Sequence, residues 1–217
     1  ITAMILHVMN VCKIETDFMA GAQLHGFNTM VRLSNSSKFA VIEGDEYLAS
    51  AIDRRPKFHL YKPNIAVLSG IAWDHINVFP TFEIYLEQFK KFIELIEPHG
   101  HLIYCSENKV LENLCKCIPG NFISKSPYFI PLNAIENGTT YLLVDNKKIP
   151  LQIFGNHNLM NLEGARKVCN KIGISNKQFY EAIQSFKGAA KRLELVYKTD
   201  NFNFYKEPKY GQRLINV

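Results

Sequence analysis

The chain has 217 residues, 47% hydrophobic and 21% charged, with a formal net charge of +5. That is the balance of an ordinary soluble globular protein, long enough to bury a core. Its lysines are scattered, with only short pairs such as Lys90-Lys91 and Lys147-Lys148, so the concentrated basic stripe of a nucleic-acid binder is missing and anionic small molecules are the better partners.

The opening run, Ile1 to Met9, is an apolar helical pattern, and a helix is expected over residues 1–13. No capping residue or start methionine precedes it. Helix N-termini need partners for their free N–H groups, so the expectation is a fragment of a longer protein. Residues 38–43 and 64–70 are short apolar runs bounded by Ser, Asn, Pro and Gly, the pattern of buried parallel strands. From Phe82 to Glu97, Tyr85, Phe89, Phe92, Ile93 and Ile96 share one helical face, and the helix is expected to end at Pro98 and Gly100. Leu102 to Cys105 reads as a core strand and Glu107 to Lys116 as a helix.

After Gly120 the texture changes to short β runs over 121–154: Asn121 to Ser124, then Thr140 to Val144, a turn at Asp145-Asn146-Lys147-Lys148, and Ile149 to Phe154. Helices at about 158–172 and 176–186 and a last strand, Arg192 to Tyr197, follow. The fold class is α/β: a mainly parallel sheet flanked by helices, with a β-hairpin-rich addition. The tail from Glu207 to Val217 fits no pattern.

No apolar run approaches a membrane span and no signal peptide is visible, which points to a cytoplasmic protein without a membrane partner. The five cysteines, Cys12, Cys105, Cys115, Cys117 and Cys169, lack zinc-ligand spacing and read as reduced, mostly buried thiols.

Three stretches carry chemistry. The run Val41 to Tyr47 ends in three carboxylates, and Trp73-Asp74-His75 follows the strand at 64–70. Ligands in open α/β sheets sit beyond the carboxyl ends of strands. Hard carboxylate oxygens there suit magnesium, which takes one or two protein ligands plus phosphate. A single such acid would be only a solvated strand end; two strand ends with one pattern weigh against that. Next, Gly155-Asn156-His157-Asn158 with Asn161 opens a helix, and Asn158 and Asn161 lie on one face, where amides can pair with a heterocycle edge. Simple N-capping accounts for one asparagine, not for two and a histidine. Last, Arg192 precedes the closing strand, where its planar fork could reach a phosphate; taken singly it is a surface arginine.

These stretches, with Gly188 to Glu194, resemble the Mur ligases in order and spacing from about residue 1 to 206. The resemblance implies a P-loop NTPase-like central domain over 1–195 and a stub of the next domain over 196–217. It implies an ATP- and magnesium-dependent, ADP-forming amide ligase of peptidoglycan synthesis or recycling. Glu43 would bind the first magnesium and His75 the second, both acting catalytically, with Asp45 and Glu46 supporting them. His157, Asn158 and Asn161 would line the adenine pocket, and Arg192 would touch the nucleotide phosphates. Lys90 and Lys91 lie on the helix that carries a carbamylated lysine in some members, without a register that assigns the role.

The Glu43-to-Tyr47 form together with Asp53-Arg54-Arg55-Pro56-Lys57-Phe58 resembles most the branch joining UDP-N-acetylmuramate to L-alanyl-γ-D-glutamyl-meso-diaminopimelate. The branch that adds L-alanine to the same nucleotide sugar is the alternative. The family's Gly-Lys-Thr phosphate loop does not occur in these 217 residues, nor do its UDP-binding and peptide-receiving domains, so the chain alone is expected to be inactive. Two readings from other classes stay open: a non-catalytic nucleotide-binding module, and a metal-dependent hydrolase using Glu43, Asp45, Asp74 and His75.

Overall fold

A computed structural model describes residues 1–21, 26–119 and 123–188, and the backbone of three strands at 194–198, 203–207 and 211–215. Arg192 and the expected strand start at Asn121 lie outside the described residues. The chain divides into two compact units. One holds Ile1, 42–131 and 155–176; the other holds 2–41, 132–154 and 177–217.

In the first unit, β4 (Ile65–Leu68), β5 (His101–Cys105) and β6 (Ser124–Tyr128) form a parallel sheet in that order. The central strand β5 is buried along its whole length, and Leu102 and Ile103 have no exposed surface. A strand covered on both faces needs apolar side chains at every position. Its one polar position, the buried His101, is satisfied by the hydroxyls of Ser124 and Ser126 on β6. Around the sheet run α2 (Phe82–Glu94), α3 (Lys109–Cys117) and α4 (Asn156–Lys171).

The caps follow from sequence. Thr81 Oγ1 accepts from the Ile84 N–H at 3.3 Å, and Asn108 Oδ1 accepts from the Leu111 N–H at 2.9 Å, which satisfies otherwise orphaned donors. The buried face of α2 is aromatic. Phe79 contacts Tyr85, Tyr85 contacts Phe89, and Phe58, from the 3-10 turn Lys57–Leu60, contacts both Phe89 and Phe92. Centroid spacings of 4.9–5.5 Å are those of tilted and edge-to-face pairs.

The second unit carries α1 (Thr2–Val11) and α5 (Asn176–Ile183), whose first residue belongs to the other unit, and three antiparallel or mixed small sheets. β1 (Thr16–Met19) lies between β2 (Val31–Arg32) and β3 (Phe39–Ile42). β7 (Asn133–Glu136), β8 (Thr139–Val144) and β9 (Lys147–Leu151) form a meander, as do β10 (Glu194–Lys198), β11 (Asn203–Glu207) and β12 (Gly211–Ile215). Leu6, Phe18 and Ala20 form a core cluster, with Ala3, Phe27 and Val41 packed on it.

The α/β class with a hairpin-rich addition is as the sequence indicates. Three local expectations are corrected. The strand at 38–43 is neither fully buried nor a neighbour of the strand at 64–70: β3 pairs with β1 and alternates half-buried Phe39 and Val41 with exposed Ala40 and Ile42. The β run near 121–124 belongs to the parallel sheet, not the hairpins, because β6 aligns with β5. The tail from Glu207, which fitted no pattern, contains β12. The sequence also hid β1, whose Asp17 is buried and accepts hydrogen bonds from the Ser34 N–H and Oγ at 3.0 and 2.8 Å.

Gly100 closes the tight turn from α2 into β5. A Cβ there would lie 2.7 Å from the Glu97 carbonyl oxygen and 2.8 Å from that of Asn64. Backbone oxygens cannot swing aside, so Gly100→Ala is expected to lower stability by about 1–3 kcal/mol, read as a reduced urea midpoint with an unchanged slope. An unchanged midpoint would disprove that packing argument.

Candidate functional site

The first part of the site is the loop that leaves β4. After Leu68 the chain reaches Trp73-Asp74-His75 and turns sharply. His75 has φ 57°, a left-handed conformation that costs a non-glycine residue about 1 kcal/mol. Its own neighbours compensate. The His75 N–H donates to Asp74 Oδ1 at 2.7 Å, and the His75 carbonyl accepts from the Val78 and Phe79 N–H groups at 2.8 and 2.9 Å. The Trp73 indole N–H donates to the Phe79 carbonyl at 3.0 Å. Asn108 Nδ2 holds the loop start by donating to the Ile71 carbonyl at 3.3 Å. The turn is therefore a tightly bonded platform, and strained backbone of this kind gathers at functional positions.

The second part is Glu43 to Phe58. The chain leaves β3 at Glu43, loops out, and returns along itself. The Lys57 and Phe58 N–H groups donate to the Tyr47 and Asp45 carbonyls at 2.9 and 3.1 Å, and Ala49 N–H donates to the Arg55 carbonyl at 2.8 Å. Asp45 is held by Lys57 Nζ at 2.7 Å and by the Tyr47 N–H at 2.8 Å. Partial burial works to raise the Asp45 pKa. The Lys57 and Tyr47 hydrogen bonds and the nearby Lys57 and His75 charges outweigh it, and the carboxyl titrates below its ordinary value. The same pairing raises the Lys57 pKa.

The two parts meet at Glu46. His75 Nε2 lies 3.3 Å from Glu46 Oε1, and the Tyr85 hydroxyl donates to the same oxygen at 3.5 Å. The Tyr47 ring sits edge-on to the His75 imidazole at 5.0 Å, and Asn77 Nδ2 donates to the Tyr47 hydroxyl at 3.3 Å. Burial, followed by the Glu46 and Asp74 charges, pushes the Tyr85 phenol far up, so it stays a neutral donor. The cluster presents one imidazole, partly shielded carboxylates and hydroxyls, about a third exposed at His75 and Glu46. It can fix an imidazole's orientation and hold a hard cation with few protein ligands.

Each residue singled out from sequence can now be placed. Glu43 is half-buried directly after β3, and His75 is half-buried on its turn. The acid brought onto His75 is Glu46, three residues beyond Glu43. Asp45 is engaged by Lys57, twelve residues on, a partner that sequence reading missed although it stands in the quoted Asp53-to-Phe58 run. Asn156 is the first residue of α4, and Gly155, at φ 84°, occupies the cap without a side-chain cap bond. Asn158 and Asn161 are thus inside the helix, half-buried, and neither caps it; His157 is exposed. Arg192 lies outside the described residues.

Among the described residues no three His, Cys, Asp or Glu side chains gather closely enough to form a metal cage. A donor set of one imidazole and one or two carboxylates instead fits magnesium that keeps waters and phosphate oxygens. None of the described helices is long and apolar enough to cross a membrane.

Residues 12–169 match the Mur ligase middle domain. The UDP-N-acetylmuramate–L-alanine ligase of Acetivibrio thermocellus is 28% identical over 206 residues, 89% of this chain and 42% of that protein. The UDP-N-acetylmuramate–L-alanyl-gamma-D-glutamyl-meso-2,6-diaminoheptandioate ligase of Haemophilus influenzae is 25% identical over 214 residues, 95% of this chain and 47% of that protein. The chain thus spans less than half the length of these curated relatives. Among solved structures, the ligase from Neisseria meningitides named for UDP-N-acetylmuramate and L-alanyl-gamma-D-glutamyl-meso-diaminopimelate superposes with a TM-score of 0.74 at 24% identity, covering 87% of this chain and 62% of that one. That likeness is one of fold.

The Asp45–Lys57 pair makes a testable contribution to stability. A depressed acid pKa means that the contribution is full above the unfolded value of 3.8 and is lost as pH falls through the lower folded value. Both groups are roughly two-fifths exposed, so solvent screening limits it. Lys57→Met is expected to cost about 0.5–1 kcal/mol at pH 7 and progressively less as pH falls below 3.8 through the lower folded value. A mutant deficit that stays constant across that range in denaturant titrations would refute the pairing.

Proposed function

Given that the chain belongs to the Mur ligase family through its middle domain, we propose that it is the ATP-binding part of a ligase that couples ATP hydrolysis to amide formation in peptidoglycan metabolism. The observation that carries the reading is the meeting of the Glu43-to-Tyr47 acids with the Asp74-His75 turn through Glu46. We take residues 1–195 as the middle domain and 196–217 as the beginning of the next. The reaction in the whole protein would form an oxygen–phosphorus bond between a substrate carboxylate and the γ-phosphate, with ADP leaving. An amine would then attack the acyl carbon, losing a proton and expelling phosphate, and leave the amide.

The residues divide this work by position. Glu43 and His75 would hold magnesium, which supplies charge neutralisation at the phosphates when bound. Glu46 orients the His75 ring, and Tyr85 and Lys57 keep the two neighbouring acids fixed. His157, Asn158 and Asn161 open α4 on one side of the unit and would take the adenine edge, with Arg192 on the phosphates. The acceptor is proposed to be UDP-N-acetylmuramate, and the donor amine that of L-alanyl-γ-D-glutamyl-meso-diaminopimelate, because of the Glu43-to-Tyr47 form together with the Asp53-to-Phe58 run. L-alanine is the alternative supported by relatives such as the Acetivibrio enzyme. Soluble nucleotide substrates place the proposed activity in the cytoplasm.

Two measurements test the reading. In the full-length protein, Glu43→Gln or His75→Ala is expected to cut kcat by about 100-fold or more, and Glu46→Gln by about 10–100-fold. Undiminished turnover in the first two variants would sink the metal assignment. Separately, His157→Ala and Asn161→Ala should weaken ATP binding by calorimetry while leaving the fold intact by circular dichroism. Ligation assays offering L-alanine and the tripeptide side by side decide the donor.

A further inference from the structure

We propose that the first unit carries a second anion site, remote from the His75 turn, that takes a small multiply charged phosphate compound. A cleft of about 550 Å³ is lined by Arg54, Arg55, His59, Lys62, Gln88 and Lys91, among others, and by no carboxylate. That volume lies within the ~300–1,000 Å³ of small-molecule sites. Such a concentration of positive charge in one concavity contrasts with the scattered lysines elsewhere.

The position follows from the fold. Arg54 and Arg55 precede the 3-10 turn that carries His59, and Lys62 stands just before β4 begins. Lys91 is in the last turn of α2, and the Glu97 N–H donates to the Pro63 carbonyl at 3.1 Å, which fixes the end of the helix against the entry to β4. The cleft is therefore at the amino end of β4, whereas His75 follows its carboxyl end. Its lining includes Arg54 and Arg55 of the Glu43-to-Phe58 loop but none of the side chains that meet at His75.

Of the cations there, the protein pairs Arg55 alone with a carboxylate among the described residues. Asp53 forks onto Arg55, with contacts of 2.7–3.2 Å that hold the guanidinium in place. Arg54, Lys62 and Lys91 have no carboxylate at ion-pairing distance among the described residues. The buried His59 is pinned by its Nε2 to the Gln88 carbonyl at 2.8 Å. Burial, together with the Lys91 and Arg55 charges, lowers its pKa, an internal sign of the positive field. Convergent, unpaired guanidinium and ammonium groups at one concave spot repel each other unless an anion joins them. Arginine forks and lysine point charges together favour phosphate oxygens.

The test uses inorganic pyrophosphate, without magnesium, titrated calorimetrically into the protein in moderate salt. Wild-type protein is expected to bind it saturably. Arg54→Gln/Lys91→Gln should weaken that binding at least about tenfold, while Lys147→Gln/Lys177→Gln, which removes the same charge from other exposed positions, changes it less than about twofold. A parallel titration with inorganic phosphate and with ATP separates a free oxyanion from a nucleotide as the source. Non-saturable binding, or equal losses in the two double variants, would reduce the cleft to general electrostatic attraction and overturn the proposal. Loss in His157→Ala with none in Arg54→Gln/Lys91→Gln would move the anion to the proposed nucleotide site and overturn it as well. Because Arg54→Gln/Lys91→Gln leaves Glu43, His75 and α4 untouched, failure here would not bear on the proposed metal and nucleotide sites, on which the ligase reading rests.

Discussion

The aromatic chain Phe79–Tyr85–Phe89–Phe58–Phe92 is the contact on which the rest of the site depends. Phe79 ends the His75 turn, Tyr85, Phe89 and Phe92 lie on α2, and Phe58 anchors the returning strand of the Glu43-to-Phe58 loop. Rings at these spacings bury large areas and resist sliding, because neighbouring quadrupoles prefer edge and tilted arrangements. Two loops with no shared sheet are thereby fixed to one helix. The 3.3 Å approach of Glu46 to His75 is a consequence of that packing.

Polar contacts then refine what the rings position. Tyr85 does both: its ring belongs to the aromatic chain and its hydroxyl reaches Glu46. Asp45 is tied to Lys57, one residue before Phe58, so the ion pair and the hydrophobic anchor reinforce the same loop closure. Neighbouring acids would repel one another if left unpaired. Assigning one to a lysine and the other to an imidazole and a phenol lets both stay in a small volume.

The same segment separates charge along the unit. Residues 43–47 bring carboxylates to one end, and 54–62 bring cations to the cleft at the entry of β4. A chain that folds back through a short 3-10 turn can put opposite charges within twelve residues of each other in sequence, as Asp45 and Lys57 show by pairing. The proposed magnesium–phosphate site and the proposed anion site require opposite local potentials, and this segment carries side chains of both signs.

Local physics made much of this legible beforehand. The period of Tyr85, Phe89, Phe92 and Ile93 gives α2, Thr81 and Asn108 are capping residues by type, and Asp145-Asn146 take the left-handed conformations, φ 48° and 61°, that a tight β8–β9 hairpin needs. The chemistry-bearing motifs could be named because carboxylates, histidines and amides stand at strand and helix ends. Chain order alone could not say that β6 joins β5 while β3 joins β1, since parallel pairing is set by register between distant segments. Nor could it choose Glu46 over Glu43 as the acid on His75, or expose the cleft shared by Arg54 and Lys91. Those pairs lie about thirty residues apart or more, and their meeting depends on how the aromatic face of α2 packs, a long-range energy that no local pattern encodes.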